Sequence, residues 1–108
     1  MNAINFRDLG NNYVLAASGD EFIIGRVFKY DRKYLVAWGK VNPNEYDEGY
    51  VRYLLDTAPN NLSTNDAERK ALTIFDEEVW GEYEAAFVSE AKAMERLRKL
   101  CADAEAAG

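Results

Sequence analysis

Three apolar runs within residues 13–41 alternate with turn signals. Tyr13 to Ala17, Glu21 to Tyr30 and Tyr34 to Val41 are rich in β-branched and aromatic residues, which suit a pleated surface. Ser18-Gly19-Asp20 and Asp31-Arg32 separate them, at lengths that close hairpins. The spacing predicts an antiparallel meander. Along its third strand Val36 and Trp38 fall on one face, and Leu35, Ala37 and Val41 on the other. A half-exposed sheet would alternate cleanly. Apolar residues on both faces therefore imply two covers, a helix on one side and a loop, terminus or partner on the other. Gly25 and Gly39 interrupt strands, a sign of a bulge, coiling or close backbone contact. Residues 1–11 read as a lead-in that Gly10-Asn11-Asn12 ends. Pro43 stops the third strand, Glu45 to Gly49 forms an acidic loop, and Tyr50 to Leu55 returns to strand composition as a fourth strand.

The pattern then turns helical. Asn65-x-x-Glu68 has the form of a capping box and opens a short helix within 64–75. Beyond it, Trp80, Tyr83, Phe87, Ala91, Met94, Leu97 and Cys101 recur at the helical period. Asp76 stands as an N-cap, Glu77 and Glu78 suit the positive end of the dipole, and Lys92, Arg96, Arg98 and Lys99 lie toward the negative end. This predicts one long helix over 76–104, about 42 Å in length. A compact domain of this size has a radius of gyration of about 13 Å, so the helix would overhang it. The expected fold is α+β in a single domain over 1–108. A four-stranded antiparallel sheet (12–56) packs against a long C-terminal helix (76–104), with one short helix (64–75) before it.

Composition removes several chemistries. The chain has no histidine, so imidazole-based zinc sites and histidine-assisted nucleophiles are excluded in their usual forms. Cys101 is the single cysteine. It lies on the apolar stripe and reads as core. No Gly-rich phosphate loop and no nucleophile elbow is present, and no cofactor or metal is expected. Met1 to Phe6 does not read as a signal peptide, and no apolar run nears the roughly 20 residues of a membrane span. A reducing, cytoplasmic setting is the expectation.

Charge points to binding. The net charge is −6, but residues 42–90 hold twelve acids against three bases. Glu45, Asp47 and Glu48 share one loop; Asp76, Glu77, Glu78, Glu82 and Glu84 surround the start of the predicted long helix. Glu78 and Glu82 are like charges four apart, which is unfavourable on a helix. Tyr46 and Tyr50 flank the acidic loop and suit an interface. Such a face attracts the arginines and lysines that hold nucleic-acid phosphates, although a merely solubilising face would have the same composition.

The expected function is a non-enzymatic interaction protein that occludes the basic surface of a partner protein, one that itself binds nucleic acid. As a class, this short, acidic, histidine-free profile resembles that of inhibitors carried by phages and mobile elements, including anti-CRISPR and other anti-defence proteins. The resemblance rests on size and charge, with no shared motif. Two alternatives are a homodimer built through the overhanging helix, and a small nucleic-acid-binding module using Arg26, Lys29, Arg32, Lys33 and Lys40.

Overall fold

The computed structural model describes residues 6–79 and 83–107. The chain forms β1 (Arg7–Gly10), β2 (Tyr13–Ser18), β3 (Glu21–Tyr30) and β4 (Lys33–Val41). A 3-10 turn (Pro43–Glu45), α1 (Glu48–Thr57), α2 (Asp66–Ile74), a π-helical turn (Phe75–Val79), β5 (Tyr83–Phe87) and α3 (Glu90–Ala107) follow. All five strands lie in one sheet in the order β1-β2-β3-β4-β5, with every neighbouring pair antiparallel.

The hairpins follow from local chemistry. Asp31 and Arg32 both take positive φ between β3 and β4, the geometry whose twist matches paired strands. Gly10, Asn11 and Asn12 do the same between β1 and β2.

The sheet is a central layer with a core on each side. On one face Leu15, Phe22, Ile24, Ala37 and Val41 pack with Val51 and Leu54 of α1 and with Leu72 and Ile74 of α2. On the other face Val14, Ile23, Val27 and Val36 pack with Ala93, Leu97, Leu100 and Cys101 of α3. A large apolar side chain fully buried contributes about 1.5–3 kcal/mol, so neither core is dispensable to a chain of this size. The second cover is thus a helix pair from this same chain.

The α+β class holds, as does the antiparallel meander packed against a C-terminal helix. Three boundaries are corrected. The lead-in contributes β1, an edge strand. Tyr50 to Leu55 is helix, not a fourth strand: Val51 and Leu54 are buried while Tyr50, Arg52 and Tyr53 are exposed, which is helical spacing. Asp47 caps that helix by accepting the Tyr50 amide at 3.1 Å. The single helix over 76–104 does not exist. α2 ends in the π-helical turn, β5 pairs with β4, and the terminal helix starts at Glu90. Pairing decides this break, because β4 would otherwise carry an open row of backbone donors and acceptors. α3 is about 27 Å long, against about 42 Å expected of a helix over 76–104, and the longest molecular dimension is 39 Å. Among the described residues no helix is long and apolar enough to cross a membrane.

Asn65 caps α2 as expected, accepting the Glu68 amide at 3.0 Å. The reciprocal half of the capping box is relayed. Glu68 accepts from the Ser63 hydroxyl at 2.5 Å, and the Asn65 amide donates to that same oxygen at 3.1 Å.

Gly25 sets how closely α3 approaches the sheet. A Cβ there would lie 2.2 Å from Leu97 Cδ1, 3.1 Å from Leu97 Cγ and 3.2 Å from Cys101 Sγ. Leu97 would have to move bodily. Gly25→Ala is expected to cost about 1–3 kcal/mol and Leu97→Ala about 2–5 kcal/mol. Together they should cost less than the sum of the two, as measured by urea denaturation; strict additivity would contradict the contact. Burial also pushes the Cys101 thiol up to about 12. The folded protein should therefore resist a thiol reagent near pH 8, where an exposed cysteine reacts, and should react only at its unfolding rate.

Candidate functional site

The acidic residues singled out by the sequence divide into an outward set and an inward one, and the π-helical turn does the dividing. Phe75 is fully buried, Asp76 half-buried, and Glu77 and Glu78 exposed.

The outward set gathers where α1 begins. The Tyr50 hydroxyl donates to Glu78 Oε1 at 2.6 Å. That bond, with the nearby charges of Glu78 and Glu77 and the proximity of Tyr46, holds the Tyr50 phenol above its ordinary range. Tyr46, Tyr50, Glu77 and Glu78 therefore stand together, with Asp47 and Glu48 on the opening turn of α1 and Glu45 in the 3-10 turn before it. None of Glu45, Asp47, Glu48, Glu77 and Glu78 forms an ion pair with a described residue. Lys70 lines a hollow of about 250 Å³ with Tyr46 and Glu48, and Arg52 follows Glu48 by one turn of α1. Asp47 is partly committed to its cap. Glu82 lies outside the described residues; Glu84 is on β5, and its side chain is likewise outside them.

Asp76 belongs to a different place. Expected as an N-cap, it instead lies inward on a buried network. The Tyr13 hydroxyl donates to Asp76 Oδ1 at 2.8 Å, and Asn60 Nδ2 donates to Oδ2 at 3.3 Å. Asn60 is buried and further fixed: its side-chain oxygen accepts the Leu62 amide at 3.0 Å, and its carbonyl accepts Arg69 Nε at 3.4 Å. Arg26 stacks over the Tyr13 ring at 4.9 Å and the Phe28 ring at 5.4 Å. Tyr13, Arg26, Asn60 and Asp76 line one open cleft of about 920 Å³ between the β1–β2 turn and the α1–α2 loop. Sequence reasoning missed Tyr13, Asn60 and the role of Arg26. The one available signal was Arg26 itself, a charged residue set among apolar ones on the most apolar strand.

The basic set does not form one surface. Arg26 faces the cleft, whereas Lys29 approaches the Tyr34 ring at 6.0 Å on the α3 side of the sheet. Arg32 sits in the β3–β4 turn and Lys40 near the far end of β4. Among the described residues no group of three or more carboxylates and cysteines could hold a metal ion.

Comparison with known proteins gives no further guide: no family model matches the chain, and neither does any curated protein or solved structure.

Burial holds the Asp76 carboxyl above its ordinary range; the hydrogen bond from Tyr13, the Arg26 charge and the bond from Asn60 act the other way without cancelling it. The folded state thus binds this proton more readily than the unfolded state. The stability it contributes is present in acid and is lost as pH rises through the folded value. Asp76→Asn keeps an acceptor for the Tyr13 hydroxyl and removes this dependence. Measured by calorimetry between about pH 4 and pH 7, the melting temperature of the variant should gain on wild type as pH rises. A constant difference would contradict this reading of Asp76.

Proposed function

We propose that this chain is a non-enzymatic interaction protein that covers a basic, nucleic-acid-binding surface of a partner protein. In this reading it works as do the small acidic inhibitors that phages and mobile elements carry against host defences. The observation that carries the reading is the Tyr50–Glu78 hydrogen bond, which joins acidic stretches 28 residues apart in sequence. Glu77 and Glu78 thereby stand exposed beside the opening of α1, and neither they nor Glu48 form an ion pair with a described residue. Unpaired carboxylates keep their field, and within a Debye length of about 8 Å at physiological salt they steer a cationic partner. Tyr50 and Tyr53 stand exposed beside them and supply aromatic area of the kind that anchors interfaces. Steering by charge and anchoring by tyrosine would together displace a polyanion from an arginine-rich groove.

A photo-crosslinking residue placed at Tyr53, which is 60% exposed, samples this face; one placed at Val88, 86% exposed in the β5–α3 connection, samples a different one. In cells that contain the partner, the Tyr53 probe should capture a basic protein and the Val88 probe should not. Heparin should compete the capture away. Glu48→Lys, Glu77→Lys and Glu78→Lys combined should weaken it about tenfold or more. Asp47 is left in place, because losing its cap would cost about 1 kcal/mol of stability. Capture insensitive to heparin and to these charge reversals would overturn the proposal.

A further inference from the structure

We propose that the cleft lined by Arg26 and Asp76 is a binding site for a free α-amino acid, its carboxylate held by Arg26 and its ammonium by Asp76. The site lies apart from the outward acidic face and does not depend on it.

The first ground is an unfilled donor. Arg26 Nε is buried and has no hydrogen-bond partner. The guanidinium stacks on Tyr13 and Phe28, but stacking occupies its faces and leaves the in-plane Nε–H unmet. A buried donor without an acceptor costs about 1–3 kcal/mol and is rare enough to need a reason. Guanidinium presents its donors as a planar fork that matches a carboxylate.

The second ground is a carboxylate with capacity left over. Each Asp76 oxygen receives one donor, from Tyr13 and from Asn60. An ionised carboxylate can accept about four. The third ground is that these opposite charges line the same cleft yet form no ion pair with each other. Tyr13 separates them, its ring beneath Arg26 and its hydroxyl on Asp76. A cation and an anion held on one wall without touching match a ligand carrying both charges on adjacent groups.

The rest of the cleft suits what such a ligand carries beyond its charges. Asn11, Asn12 and Asn61 line it with amide donors and acceptors, and Pro59 and Leu62 add apolar surface. Its volume of about 920 Å³ is at the upper end for small-molecule sites, so a large side chain should be preferred to glycine.

The test is a calorimetric and thermal-shift titration of the intact chain with each of the twenty common L-amino acids, with acetate and methylammonium as single-charge probes. One or more large amino acids should bind and raise the melting temperature, and the single-charge probes should bind far more weakly. Arg26→Gln and Asp76→Asn should each weaken the binding about tenfold or more; Lys29→Gln, on the other face of the sheet, should not. Should the variants fail to fold, the wild-type chain decides the matter, since the methyl ester and the N-acetyl form of the best ligand should each fail to bind. Binding by none of the twenty would overturn the proposal. So would equal binding of acetate, or of either blocked form.

Discussion

The structure depends on the two-sided burial of β3 and β4. Ile23 and Ile24 are neighbours in sequence, point to opposite faces, and are both essentially inaccessible to solvent. So are Val36 and Ala37 on the paired strand. A strand pair of this kind is not stable with one face in water, because each exposed aliphatic side chain forfeits about 1.5–3 kcal/mol. The chain must supply a cover for each side. It does so with α1 and α2 before β5, and with α3 after it.

That requirement routes the chain. After α2 has crossed one face, the backbone must reach the free edge of β4 and then the opposite face. The π-helical turn begins this passage. Phe75 is driven into the core, and the next residues then rotate from inside to outside. Asp76 is thereby held against Tyr13 and Asn60, while Glu77 and Glu78 emerge beside α1. Three consecutive acids, alike in sequence, take two unlike environments because of where the apolar residue before them must go.

Much of the sheet was legible in the sequence, because hairpin chemistry and strand patterning are local. β3 runs from Glu21 to Tyr30 as the residues imply, and β2 and β4 differ from expectation by a residue at one end. The apolar content of both strand faces announced a second cover, though not its source. What was lost depends on contacts distant in sequence. Tyr50-Val51-Arg52-Tyr53-Leu54-Leu55 has strand-like composition, and its Asp47 cap was the better guide. Tyr83 to Phe87 fits a helical stripe as well as a strand, and the unpaired edge of β4 selects the strand. Leu97 and Cys101 do lie on the buried stripe of α3, but Ala93 is buried and Ala91 exposed, since the helix starts at Glu90 and not at Asp76. Of the residues proposed for binding, Tyr50, Glu77 and Glu78 meet, although Glu78 lies 28 residues beyond Tyr50 in sequence. Asp76 does not, and the Tyr13–Arg26–Asn60 network around it joins β2, β3 and a loop in a way that no spacing encodes.

The central claim is that both covers and the sheet form one cooperative unit. Native-state amide hydrogen exchange tests it most directly, read at Ile23, Ile24, Val36 and Ala37 in wild type, Leu72→Ala and Leu97→Ala. Leu72 belongs to one cover and Leu97 to the other. Either truncation should lower the protection of the same four amides, by the amount that it lowers global stability. If one truncation leaves β3 and β4 fully protected, that cover is not what stabilises the sheet, and the two-sided account is wrong.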